Sequence, residues 1–263
     1  MRKALENLPP GLPATYVRIF ETIDARYPMQ TQRLIQRVLR WLVCQRESLS
    51  LVALCHAISI EKGATFLNLN AIPDKEDVCK WLGCLARRTA TGSLELARFS
   101  INEFLRSSSS SFASTVTSKY LLKETESSVL AEVCFSYLSF TDFSCVEFDL
   151  LNDKAREVFN QKFPFYNHAA NMIPEYIQIN TRYQEPTSCC RLYKVSASQQ
   201  FLFWISYATL GHHIYSHAFD NDKWTTAQRH GKFNNVTSPL NVACILHLAP
   251  TVSRLISEGA DPI

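Results

Sequence analysis

Glycine is scarce in this chain, with seven among 263 residues. So few left-handed-permissive positions argue against a β-rich, turn-rich fold and for helices. No C-x-x-C pair occurs, so a structural zinc site has no support from spacing. No secretory leader precedes the nine cysteines: Met1-Arg2-Lys3 runs into Ala4–Pro10 without an apolar stretch. Cys44, Cys55, Cys79, Cys84 and Cys134 fall on apolar helical faces, and Cys189-Cys190 lie in a turn-rich stretch. All are expected to be reduced thiols in a cytoplasmic protein. A long apolar run is missing too. Val195–Phe219 lacks Asp, Glu, Lys and Arg, yet it holds Gln199, Gln200 and three histidines. Its apolar centre, Phe201–Ile205, falls far short of the ~20 residues a membrane span needs, so a buried helix is expected there. Strong charge is absent as well, with a net +3, too little to imply nucleic acid. The charge is uneven, however. Residues 1–46 carry Arg2, Lys3, Arg18, Arg26, Arg33, Arg37, Arg40 and Arg46 against Glu6, Glu21 and Asp24, the pattern of solvated helix faces.

What is present is mostly helical patterning. Leu8-Pro9-Pro10-Gly11-Leu12-Pro13 is a rigid entry turn. Thr15–Ala25 then places Tyr16, Ile19, Phe20 and Ile23 on one face, and Tyr27-Pro28 ends it. Thr31–Cys44 carries a stripe of Leu34, Ile35, Val38, Leu39, Leu42 and Val43. Ser50 caps a short helix through Ile58, and Asp74 caps a fourth with Val78, Trp81, Leu82 and Leu85 inward. Leu94–Phe99 alternates like a half-buried strand, with Leu94, Leu96 and Arg98 on one side; Ala86–Thr89 can pair with it across Thr91-Gly92. Ser100 and Glu103 have the spacing of a capping box opening a helix through Ile101, Phe104 and Leu105. Ser107–Ser111 reads as a solvated linker. Thr125–Phe140 repeats apolar residues at three and four, and Phe163–Ile179 is an aromatic helix with Pro174 expected to kink it. A soft boundary is expected within Thr181–Lys194.

Three helices followed by a strand pair is the order of a winged-helix domain. A DNA reader would carry basic side chains on its recognition helix. Asp74–Leu85 instead carries Asp74, Glu76 and Asp77 against Lys75 and Lys80, a poor face to set beside phosphates. At the other end, Ser238–Cys244 begins a helix with Pro239 in its first turn. Val252, Leu255 and Ile256 continue a second, and Gly259 closes it. This is an ankyrin-type unit. Tyr207–His212, with Tyr215 and Phe219, weakly matches a second copy and reads as a degenerate capping repeat.

Candidate chemistry is thin. His213 and His217 are four apart beside His212 and Asp220, but the H-E-x-x-H pattern is missing. Cys55 and His56 are helix neighbours about 100° apart, which cannot easily share a hydrogen bond; a core Cys beside a surface His is expected. Asp74, Glu76 and Asp77 read as acidic residues offsetting a helix dipole. No catalytic, cofactor-binding or metal residue is assigned.

Several blocks carry a resemblance. Leu8–Ile23 (LPPGLPATYVRIFETI), Val38–Ile58 (VLRWLVCQRESLSLVALCHAI), Ala97–Leu105 (ARFSINEFL), Glu132–Leu138 (EVCFSYL), Phe163–Tyr176 (FPFYNHAANMIPEY) and the closing GADPI together resemble, in order, the part that follows the nucleotide-binding domain in fungal NACHT–ankyrin proteins of the STAND NTPase family. The resemblance implies a mostly α chain in three parts. These are a winged-helix domain over residues 1–106 with a small β-hairpin, a helical linker segment over 107–180, and one to two degenerate ankyrin-type helix pairs over 195–263. It implies a non-enzymatic regulatory module with protein partners, engaged through helix faces and the ankyrin edge. In such proteins the NACHT domain binds ATP or GTP, the winged helix helps hold the resting state, and the repeats sense a partner. Here no G-x-x-x-x-G-K-[ST] occurs; the one Gly-Lys pair, Gly231-Lys232, lacks the upstream Gly and the Ser/Thr, so no nucleotide is expected to bind. Arg98 stands where the family usually has His. The expectation is a fragment of the larger architecture, in the cytoplasm, with no cofactor, membrane or small-molecule substrate. A nucleic-acid-binding winged helix is the alternative, and a histidine metal enzyme the third reading.

Overall fold

The computed structural model describes residues 11–107, 118–122, 126–144, 153–178, 188–211 and 238–261. Among them are twelve α-helices and one two-stranded antiparallel hairpin. The chain divides into two compact units: residues 1–59 with 69–127, and residues 60–68 with 128–263.

In the first unit, α1 (Leu12–Arg26) starts earlier than the periodicity suggests. Pro13 stands in its first turn, where a missing amide hydrogen is harmless, and Gly11 supplies the positive φ before it. It buries Tyr16, Phe20 and Ile23. α2 (Met29–Cys44) buries Ile35, Val38, Leu39, Trp41, Leu42 and Val43, the expected stripe with Trp41 added and Leu34 only half-buried. The Ser50 hydroxyl accepts from the Ala53 amide at 3.2 Å and caps α3 (Leu51–Ser59). Helix α3 is buried nearly all round, His56 included, at 7% exposed. His56 is therefore not a surface residue; of this nine-residue apolar helix only Val52 is exposed, and His56 lies on the packed side. Asp74 caps α4 (Lys75–Leu82) through the Glu76 amide at 2.7 Å. A 3-10 turn, Gly83–Leu85, then leaves Cys84 exposed rather than inward, because the tighter winding moves it off the apolar face.

The hairpin is β1 (Ala86–Arg88) with β2 (Leu94–Leu96), Arg87 opposite Glu95. Ser50 adds an isolated antiparallel bridge to Ser93. Of the alternating residues only Leu94 is buried, and α5 (Phe99–Leu105) begins directly at Phe99. The Ser100–Glu103 capping box does not form. Arg98 occupies the N-cap position without a side-chain cap, and the Ser100 hydroxyl lies 2.6 Å from the Tyr16 hydroxyl instead. Two residues of helix extension put Ser100 inside the first turn, where it no longer faces the free amides. Phe104 packs on Tyr16 and Phe20, with ring centroids 5.2 and 6.0 Å apart, and Phe20 stacks on Tyr120 at 4.6 Å.

The second unit is built on aromatics. It holds most of α6 (Glu126–Leu138), then α7 (Asp153–Lys162), α8 (Tyr166–Gln178), the short α9 (Cys189–Leu192) and α10 (Gln199–Gly211). Cys189 and Cys190 are thus helical and not in a turn; Cys189 is buried, Cys190 exposed, and neither is in a disulfide. Helix α8 continues past Pro174. Trp204 of α10 donates its indole N–H to the Ala170 carbonyl at 3.0 Å. Tyr137, Phe143, Phe159, Phe165, Tyr166 and Phe203 form one buried ring cluster with centroid separations of 4.7–6.4 Å.

The helix pair α11 (Pro239–Ile245) and α12 (Ala249–Ser257) closes this unit. Ser238 caps α11 by accepting from the Asn241 amide at 3.2 Å. A three-residue turn follows, with His247 at φ 56°. Gly259, at φ 93°, ends α12; its amide donates to Ile256 and that of Ala260 to Leu255.

Candidate functional site

The surface that a nucleic-acid reader would use is that of α4 and the hairpin. Its charges are spent on one another. Arg88 donates to Glu76 at 2.8 Å, Lys80 to Asp77 at 3.0 Å, and Arg87 to Glu95 at 2.8 Å. Asp74 is engaged as the cap. All three pairs are exposed, so each contributes little to stability, but together they leave no basic stripe for phosphates. On α2, Arg37 donates to the Ile58 carbonyl at 2.7 Å, tying down the C-terminus of α3. Arg40 pairs with Glu126. Arg33 is exposed beside Met29. The three arginines therefore do not act as one patch: two are absorbed by the fold.

Catalytic groupings fare no better. Burial pushes the Cys44 thiol up to about 11 and the Cys55 thiol up to about 12, and raises Cys134 further. Burial also lowers the His56 imidazole. Both shifts oppose a thiolate–imidazolium pair at Cys55 and His56. No group of three or more His, Cys, Asp or Glu side chains able to hold a metal exists among the described residues. His212, His213, His217 and Asp220 lie outside the described residues. So do Tyr215, Phe219, the Gly231-Lys232 pair and Ser108–Ser111. A depression of about 540 Å³ borders Arg156, Glu157, Asn160 and Gln161. All four belong to α7, and one helix face does not enclose a substrate. Among the described residues, no helix is long and apolar enough to cross a membrane.

The second unit contains a group that sequence reading did not single out. His168 is buried and its Nε2 lies 2.8 Å from the Tyr176 hydroxyl; burial pushes the imidazole down to about 4. Eight residues apart on α8, they are two turns of helix from each other, a spacing that carries no motif. Apolar side chains also remain exposed where a partner could reach them. Phe99, Leu69 and Met29 stand out in the first unit, Ile245 and Ile256 on the terminal helix pair. Single exposed apolar residues are ordinary on protein surfaces.

No family model, curated protein or solved structure matches this chain.

Proposed function

We propose that this chain is a non-enzymatic regulatory and protein-interaction module, the part of a STAND-type signalling NTPase that follows its NACHT domain, acting in the cytoplasm. The first unit is read as a winged helix. Helices α2, α3 and α4 lead into the β1–β2 hairpin, and the Ser50–Ser93 bridge supplies the short third strand that such domains add to the wing. The pair α11–α12 is read as ankyrin-type: a Ser-Pro start, a tight three-residue turn and a glycine close. The observation that carries the functional reading is the charge-balanced α4–hairpin surface. It suits docking against protein better than docking against phosphate, because self-paired charges release no counterions from a polyanion.

Two titrations test the reading. One partner is an isolated NACHT domain from a fungal NACHT–ankyrin protein; the other is a mixed-sequence 20-base-pair duplex at 50 mM salt. The expected result is a saturable complex with the first, lost in 1 M salt only in part, and no binding of the duplex below about 100 μM. Duplex binding that weakens when Arg33, Arg37 and Arg40 are each replaced by Gln would overturn it in favour of a nucleic-acid-binding winged helix. Micromolar ATP binding would overturn it as well.

A further inference from the structure

An arginine stands three residues before a serine or threonine at three places in the chain: Arg88 before Thr91, Arg106 before Ser109 and Arg254 before Ser257. Serine/threonine kinases that read arginine at this spacing take the acceptor in extended chain and hold the guanidinium between carboxylates. Ser109 lies outside the described residues. Ser257 has the wrong geometry. It is the last residue of α12, its hydroxyl donates to the Arg254 carbonyl at 2.7 Å, and the Arg254 guanidinium is bound to Glu258 at 2.8 Å and to the Tyr193 carbonyl at 2.7 Å. Thr91 differs on each count. It lies in the turn between β1 and β2, where Ala90, Thr91 and Gly92 are all exposed. Arg88 ends β1 and is already extended. Its ion pair with Glu76, like that of Arg87 with Glu95, is at the surface, with the arginine side chains 43% and 68% exposed. Exchanging either carboxylate for a kinase's own costs little.

The turn holds three hydroxyls, and they are not equivalent. That of Thr89 accepts from the Ser93 amide at 3.1 Å and so builds the turn. Ser93 is buried. That of Thr91 meets only other side-chain hydroxyls, Thr89 at 2.8 Å and Ser93 at 3.5 Å. From this geometry we propose that Thr91 is a phosphorylation site for an arginine-directed serine/threonine kinase. ATP is the co-reactant. Thr91 Oγ1 attacks the γ-phosphorus, its proton passes to the kinase's carboxylate base, the bond to the β–γ bridging oxygen breaks, and ADP leaves. Presenting the acceptor opens the turn where the Gly92 amide donates to Thr89 at 3.1 Å and the Thr89 amide to Ser93 at 2.9 Å. Two paired strands of three residues permit such local opening. The consequence is electrostatic. Asp74, Glu76, Asp77 and Glu95 face Lys75, Lys80, Arg87 and Arg88 on α4 and the hairpin, an even balance. A phosphate adds about two negative charges and makes this surface acidic, a change that alters what can dock on it. The acceptor is selected by the turn's own geometry, independently of the proposed function.

Treatment of the folded full chain with ATP and a calcium–calmodulin-dependent kinase, which selects arginine three residues before its acceptor, tests it. Trypsin then releases the peptide that ends at Arg98 and holds Thr89, Thr91 and Ser93, and fragment-ion sequencing assigns the phosphate among them. Phosphate is expected on Thr91 alone within that peptide. Arg88→Gln should lower its initial rate at least about tenfold, because the paired guanidinium contact to the kinase is lost. Thr91→Ser should remain a substrate at that position, and Thr91→Ala should leave the peptide unmodified. All three variants should melt with the natural chain, since these side chains are exposed. An unmodified Thr91 in the folded chain would refute the proposal; a synthetic peptide of residues 84–98, run alongside, tells whether the turn or the sequence is at fault. Phosphate on Thr89 or Ser93 in its place, or an Arg88→Gln chain modified at the unchanged rate, would refute it too.

Discussion

Tyr137 and Tyr166 present an opportunity to stabilise the protein by deleting atoms. Both rings are fully buried, and neither hydroxyl has a hydrogen-bond partner. Tyr137 is enclosed by Phe140, Phe143 and Phe165, with centroids 5.2–5.3 Å away. Tyr166 is enclosed by Phe143, Phe159, Phe203 and Tyr207, at 4.7–5.2 Å. A buried hydroxyl with no partner costs ~1–3 kcal/mol relative to water. Replacing it by hydrogen leaves a void of about 10 Å³, worth only ~0.2 kcal/mol. Tyr137→Phe and Tyr166→Phe should therefore each stabilise the second unit by about 1 kcal/mol. Urea unfolding followed by Trp204 fluorescence would measure it. Tyr207→Phe is the contrast: its hydroxyl donates to Asn160 at 2.6 Å, so its loss should cost ~1 kcal/mol. Alkaline pH adds a second reading. Burial holds both phenols well above 10, whereas the unfolded chain releases these protons from about pH 10 upward. Stability should fall as pH rises past 10, and fall less steeply in either Phe variant. Destabilisation of 1 kcal/mol or more by Tyr137→Phe or Tyr166→Phe would show that the hydroxyls are satisfied and the reasoning wrong.

At acid pH the sign reverses at a different residue. His168 is neutral in the fold, pushed down to about 4, while the unfolded chain takes up its proton near 6.5. Its contribution is present above pH 6.5 and lost as pH falls toward 4, about 2 kcal/mol by pH 4.5; a His168→Gln variant should show a flatter urea midpoint across that range. Ser238→Ala removes the α11 cap and should cost about 1 kcal/mol, with raised amide exchange at Asn241. Gly259→Ala meets open space but strains a φ of 93°; a loss of ~1 kcal/mol is expected, and Gly259→Asn should recover part of it on thermal melts.

The terminal helix pair shows how much of the fold was readable along the chain. Ser238, Pro239 and Gly259 act through the backbone within four residues of themselves, so their roles follow from local spacing. The same holds for Ser50 and Asp74. Ser100 shows the limit. Its spacing to Glu103 fits a cap, but Tyr16, eighty-four residues upstream, provides a hydroxyl, and the helix starts two residues early. His56 fails for a related reason. Whether a residue is enclosed depends on what packs on the far side of its helix, and periodicity describes only the near side.

The sequence by itself determined that the chain is mostly helical, where most helices start, and that no familiar catalytic spacing is present, because those properties are set by short-range geometry. Tertiary structure alone decided that Arg37 and Arg40 are consumed within the fold, and that residues 60–68 belong with a unit that otherwise begins at Ser128. Each of these depends on which groups are brought together and desolvated, and contact across long stretches of chain leaves no period to read.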